Sequence, residues 1–169
     1  MTTMNSADKR DTKCKVVIQQ CLAAKLKVGP GEYVHIDRGI VVFVSFLESA
    51  TQDDALKAAK SVLSVKLCET GESSDTGPAG PLVSVLELPG KVLVVPQACI
   101  AGKRKGNSVQ YHGLVSKEMG KELYEAFVSE CKRLVSSKRP GGDSWVCCGT
   151  YGNRQVLSIE TNGPFTHVF

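Results

Sequence analysis

Ile40-Val41-Val42-Phe43-Val44-Ser45-Phe46, entered through Gly39, is the stretch whose reading decides the fold. It is short, β-branched and aromatic, with hardly a polar side chain, and it reads as a fully buried central strand. Other strands must flank it, and the chain supplies them on both sides. Cys14 to Leu22 reads as a strand, and Lys25 to Val28 continues it to the turn Gly29-Pro30-Gly31, which predicts a first hairpin. C-terminal to the central run, Leu82–Leu88 and Lys91–Ala101 flank Pro89-Gly90 and predict a second hairpin. Pro96 cannot donate to a ladder, so that strand is expected at an edge or bulged, with main-chain groups left free for a ligand. Trp145–Cys148 and Gln155–Thr161 close the chain as strands.

Two helices interrupt these strands. Thr51 caps the first, with acidic residues in the opening turn, and Ala55, Ala58, Ala59, Val62 and Leu63 form its sheet-facing stripe. Val65–Cys68 either ends this helix or begins a short strand, and 71–81 reads as a loop of no assumed order. Ser116 caps the longer helix, which runs to about Ser136 with Met119, Leu123, Phe127, Cys131, Leu134 and Val135 on one face and stops before Pro140-Gly141-Gly142. About seven strands and two helices without βαβ alternation predict an α+β fold, a single domain of mostly antiparallel, β-barrel-like sheets over residues 14–169 behind a flexible tail, 1–13.

Composition narrows the function classes. A chain of 169 residues can bury roughly 70% of its unfolded surface and needs no covalent staple. Its 42% hydrophobic and 22% charged residues match an ordinary globular domain, no apolar run reaches membrane-spanning length, and the polar N-terminus resembles neither signal nor anchor. A cytoplasmic protein is expected. The seven cysteines form no C-x-x-C pair and the three histidines lie far apart, so no metal and no cofactor are expected, and most thiols read as reduced core residues. Net charge is +4, concentrated at Lys103-Arg104-Lys105 and at Lys132-Arg133 with Lys138-Arg139. Each cluster reads either as a phosphate-neutralising patch or as a solvated loop or helix end.

The most unusual stretch is Gln155-Val156-Leu157-Ser158-Ile159-Glu160-Thr161-Asn162-Gly163-Pro164-Phe165-Thr166-His167. A period-two strand meets Asn-Gly-Pro, which is either a plain β-turn or a device that offers backbone carbonyls, since glycine allows close approach and proline removes a donor.

Two segments together make the reading specific. Pro96-Gln97-Ala98-Cys99-Ile100 on a strand, followed by a basic loop and a Lys-Glu-Leu-Tyr-Glu-Ala-Phe helix, and then Asn162-Gly163-Pro164-Phe165-Thr166, resemble in order and content the D-aminoacyl-tRNA deacylases. That family pairs Ser-Gln-x-Thr-Leu with Asn-x-Pro-x-Thr. Pro96 in place of Ser, and the Thr161–His167 block, resemble the animal branch, whose members remove alanine from mischarged threonine tRNA; Cys99-Ile100 departs from its Thr-Leu. The resemblance implies an aminoacyl-tRNA editing hydrolase acting on L-Ala carried by threonine tRNA, with D-aminoacyl- and Gly-tRNA as further substrates. It implies a homodimer in which Gly163-Pro164 of one protomer enters the partner's site, with the Gly163 and Pro164 carbonyls sorting substrates by handedness across a trans bond. Main-chain N–H groups at Gln97, Ala98 and Cys99 would stabilise the oxyanion while the 2′-hydroxyl of the terminal ribose assists water. Pro96, Asn162, Gly163, Pro164, Phe165 and Thr166 would bind substrate, and Lys103, Arg104 and Lys105 the tRNA.

The residues by themselves leave two other readings open. One is a thiol hydrolase using Cys99 with His112 or His167 as base. The other is a non-catalytic RNA-binding module using Lys103-Arg104-Lys105 with Tyr111 and His112 for stacking.

Overall fold

A computed structural model describes residues 13–71, 80–163 and 165–169. The central run is strand β4 (Gly39–Phe46), the middle of a five-stranded sheet. It pairs antiparallel with β1 (Cys14–Cys21) and parallel with β7 (Lys91–Pro96); β10 (Val146–Cys148) lies outside β7, and β12 (Thr166–Val168) outside β1. A smaller sheet has β2 (Ala23–Gly29) between β3 (Glu32–Ile36) and β11 (Leu157–Glu160). Two-stranded pairs are formed by β5 (Cys68–Glu69) with β6 (Leu82–Val83) and by β8 (Lys103–Lys105) with β9 (Ser108–Gln110).

The alternation of β4 explains why its sequence is apolar throughout. Ile40, Val42, Val44 and Phe46 belong to the larger core, while Val41 and the half-buried Phe43 belong to the smaller one. Helices α1 (Gln52–Ser64) and α2 (Lys117–Ser136) supply Ala55, Ala59, Leu63, Leu123 and Phe127 to the larger core; β2 and β3 supply Ala24, Leu26 and Ile36 to the smaller. The order is therefore helices, mixed sheet, small sheet. A strand covered on both faces has no position for a polar alternation. The α+β class holds; the sheets stack without closing into a barrel, and the central one is mixed.

The same logic accounts for Cys147-Cys148. Adjacent strand residues point to opposite faces, so Cys148 packs on the larger core and Cys147 on the smaller, where its thiol donates to His35 O at 3.7 Å. Cys14, Cys21, Cys68 and Cys131 are buried, as a small hydrophobe would be, and Cys99 is exposed.

Local signals placed both helices. Thr51 and Asp54 form a reciprocal capping box, and Ser116 Oγ accepts from Met119 N at 3.2 Å. The long helix buries Leu123, Phe127, Cys131 and Val135 as expected, with Leu134 packed beside them; Gly120, Tyr124 and Val128 widen the stripe, and Met119 is exposed. The predicted first hairpin is β2–β3, its turn carried by Gly31 at φ +72°.

The second predicted hairpin is not formed. Residues 85–89 are turns, and β7 runs parallel to β4, inside the sheet and not at an edge. Pro96 fits because it is the last residue of β7: Gln97 N donates to Val44 O, so the missing donor of Pro96 points to the other side, where β10 has ended opposite Val94. Ala98–Ala101 is a 3-10 turn, not strand, and the loop expected at Gly102–Gly113 contains the β8–β9 hairpin, with Gly106 at φ +60° in its turn. The tail expected over 1–13 and most of the 71–81 loop lie outside the described residues. Lys13 itself is tied down: its Nζ donates to Ser49 Oγ at 2.8 Å and its carbonyl accepts from Leu47 N.

Candidate active site

The end of β4 and the end of β7 open onto a cleft of about 370 Å³. Ser45, Pro96, Gln97 and Ala98 line it from the sheet, Leu114 and Val115 from the segment before α2, and Lys117, Tyr151 and Asn153 from the opposite wall. Tyr151 reaches over Gly120, where any Cβ would overlap its hydroxyl, and its ring lies 5.7 Å from that of Tyr124. The Tyr124 hydroxyl shares its proton between Val94 O (3.0 Å) and Gly149 O (2.9 Å), fixing α2 to the strand ends that form the cleft. Burial and the nearby Glu118 raise the Tyr151 pKa, so its hydroxyl stays protonated at neutral pH.

The first predicted segment thus lies in the wall of a cleft. Among its three amides, Gln97 N is used by Val44 O, and Cys99 N is capped at 3.4 Å by Gln97 Oε1. The Ala98 N–H makes no hydrogen bond among the described residues. Ser45 adds a second unspent group: the residue is 4% exposed and its hydroxyl has no partner among the described residues. Among the described residues no Asp, Glu or His lines the cleft.

The second segment lies elsewhere on the same chain. Asn162 lines a small cavity near Gln20, Arg38 and Glu69 at the far end of the sheet, and Thr166 Oγ1 donates to Gln19 Oε1. Phe165 O accepts from Gln20 N, whereas Pro96 stands level with Val44 and Val16. From Val16 to Gln20 is about 13 Å along the strand, and from β7 across β4 and β1 to β12 is about 14 Å, so Pro96 and Phe165 are about 19 Å apart. Gln97 and Gly163 lie farther out at either end. The two segments do not meet within one protomer.

Gly163 O accepts from both the Thr161 hydroxyl and Phe165 N (2.8 Å), which fills its two lone pairs and fixes its direction. The Phe165 ring covers Gly163 so closely that an added Cβ would come within 2.8 Å of it. Pro164, and with it the expected trans Gly163–Pro164 bond, lies outside the described residues.

Lys103, Arg104 and Lys105 are all exposed on the β8–β9 hairpin, which leaves the cleft wall directly after the 3-10 turn. The other basic cluster is not a comparable patch. Arg133 is paired with Glu130 at 2.6 and 2.7 Å, and Arg139 is buried, donating to Gly90 O, Val85 O and Leu86 O and stacked 4.8 Å from the Trp145 ring centre. Cys99 has Tyr111 as its neighbour, and the Tyr111 hydroxyl is raised in pKa by that thiol. Among the described residues no hydrogen bond joins Cys99 to His112 or His167, and no group of three or more metal-ligating side chains is present.

Sequence reasoning found Pro96, Gln97 and Ala98 but missed Ser45, Leu114, Lys117 and Tyr151. Ser45 carried a signal, as the only hydroxyl in an otherwise apolar central strand; the others carried none.

Comparison with known proteins adds the following. A family model described as D-Tyr-tRNA(Tyr) deacylase matches residues 17–169. A Danio rerio protein named D-aminoacyl-tRNA deacylase 2 is 47% identical over 92% of this chain and 98% of its own length. The Homo sapiens protein of the same name is 40% identical over 94% and 95%. A solved structure described as a probable eukaryotic D-amino acid tRNA deacylase superposes with a TM-score of 0.76 at 33% identity, covering 92% of this chain and 98% of that one.

Proposed function

The chain belongs to the D-aminoacyl-tRNA deacylases, hydrolases of aminoacyl-tRNA esters and so tRNA-editing enzymes, and we propose that it works as a cytoplasmic homodimer removing L-alanine from mischarged threonine tRNA. D-aminoacyl- and Gly-tRNA are further substrates on this reading. The 3′-terminal aminoacyl-adenosine enters the cleft beside Gln97 and Ala98, and the Gly163-Pro164 segment of the second protomer closes it.

One observation carries this reading: two segments expected in a single site lie more than about 19 Å apart on one chain, while the cleft at Gln97 stays open. A second copy supplies the missing wall. Because Gly163 O is already held by two donors, it serves as an oriented obstacle and not as an acceptor for the substrate ammonium group. A D-specific or small-residue pocket needs such an obstacle more than it needs another hydrogen bond.

The chemistry follows from what the cleft lacks. An activated ester with its own 2′-hydroxyl nearby needs no protein base, and among the described residues no carboxylate or imidazole lines the cleft. The free Ala98 N–H is the main-chain group best disposed to meet the developing oxyanion, with Cys99 N joining it when Gln97 Oε1 turns toward substrate. One such donor contributes about 3 kcal/mol to the transition state. Lys103, Arg104 and Lys105 contact the tRNA backbone beside the cleft.

The test pairs two substrates with one variant. L-Ala on threonine tRNA should be hydrolysed by the wild type and by Cys99→Ala, and the same tRNA ending in 2′-deoxyadenosine should not be. Loss of activity in Cys99→Ala with retained cleavage of the deoxy substrate would establish the thiol mechanism instead.

A further inference from the structure

We propose that Lys117 and Lys121, in the first turns of α2, hold successive backbone phosphates of the tRNA 3′ strand as it leaves the cleft. The proposal rests on reading the cleft as the aminoacyl-adenosine site. Beyond the cleft wall formed by Lys117 and Tyr151 lies a second groove of about 630 Å³, and both residues line it too, so the two spaces share a wall. Lys121 lines the groove further along. A strand whose last ribose lies at Gln97 therefore has an exit past one lysine and then the next.

Charge and spacing agree with that path. Lys117 is exposed and forms no ion pair among the described residues, while Lys121 meets Glu125 only at 4.0 Å, with both side chains about two-thirds exposed. Such a pair contributes little and is readily exchanged for a phosphate. Four residues of helix separate the two lysines by about 6 Å, which suits neighbouring phosphates on one strand. Both sit at the N-terminal end of a 20-residue helix, where the macrodipole adds positive potential. Gly152, at φ +85°, lets the Lys117 stem cross the mouth, since a side chain there would press within 3.3 Å of Lys117 Cε. Glu118 and Glu125 also line the groove, so it favours point contacts at two ammonium groups over a uniformly basic face. The buried Ser45 hydroxyl, without a partner among the described residues and in the cleft at the start of this path, independently marks a place for a polar ligand.

The test compares aminoacyl-tRNA with 3′-O-aminoacyl-adenosine, which has the same ester and no phosphate. In Lys121→Gln, whose side chain lines the groove and not the cleft, KM for aminoacyl-tRNA should rise severalfold with kcat nearly unchanged and the log–log salt slope should fall by about 0.7; adding Lys117→Gln should lower the slope by about as much again. Cleavage of aminoacyl-adenosine by Lys121→Gln should match wild type, which also shows that the variant is folded. An unchanged KM and salt slope, or an equal loss on both substrates, would overturn the lysine assignment alone. A wild-type protein that cleaves neither substrate would overturn the assignment of the cleft and this inference with it.

Discussion

Replacing Arg139 by methionine tests how the structure holds the strand that carries Gln97. Arg139 is 9% exposed as a residue, and its guanidinium donates to three carbonyls, Gly90 O at 2.8 Å, Leu86 O at 2.7 Å and Val85 O, while lying over Trp145. Val85 O keeps a second donor, Gly90 N, in the variant, but Gly90 O and Leu86 O lose the only donor they have among the described residues. Two orphaned carbonyls cost about 1–3 kcal/mol each, and the lost cation–π contact about 1 kcal/mol more. Relief of the buried charge returns part of this, leaving a net loss of about 3 kcal/mol. Methionine keeps most of the stem volume, so little of the loss comes from a cavity. Urea unfolding should show it as a lower midpoint with an unchanged m-value, and Tm should fall by roughly 6–12 °C. Arg139→Lys keeps the charge but not the fork, and should fall between the two. A loss below about 1 kcal/mol for Arg139→Met would refute the reasoning, because Gly90 O and Leu86 O would then be satisfied without the arginine.

Two more predictions follow from the site and the core. Thr161→Val removes one of the two donors to Gly163 O and should relax discrimination between L- and D-alanyl-tRNA severalfold at near-normal kcat; unchanged chiral preference in paired deacylation assays would show that the hydroxyl does not orient that carbonyl. Burial raises the thiol of Cys14 to about 12 and those of Cys21 and Cys68 to about 11. The unfolded chain loses these protons first as pH rises past about 8.5, so unfolding free energy should fall progressively from there toward pH 11, and Cys14→Ala/Cys21→Ala/Cys68→Ala should flatten that fall in a denaturant series.

Much of the fold is legible in local pattern. Thr51 and Ser116 announce their helices because a cap is a contact between residues three apart, and the alternation of Gln155–Thr161 survives as a half-buried edge. The short strand β12 was missed because Thr166–Val168 has no pattern of its own; its hydrogen bonds come from β1, far away in sequence. The Pro89-Gly90 hairpin failed for a related reason. A turn dipeptide between apolar runs specifies a reversal only if the runs pair with each other, and here β7 found β4 as a parallel partner, while Arg139 captured the turn's carbonyls.

The site divides in the same way. Gln97-Ala98 and Asn162-Gly163 are recognisable because each is a short contiguous block whose order and content resemble one family. Their relation is not, since the sequence cannot state that the blocks lie at opposite ends of one sheet. Nor could it assign Lys117 and Tyr151 to the cleft, or withdraw Arg139 from the basic surface. What the sequence determined by itself is what adjacent residues decide: caps, strand periodicity, turn chemistry and the identity of the two motifs. The tertiary structure decided strand direction, which amides of the cleft remain free, and which cations face solvent, because each depends on a partner brought in from a distant part of the chain.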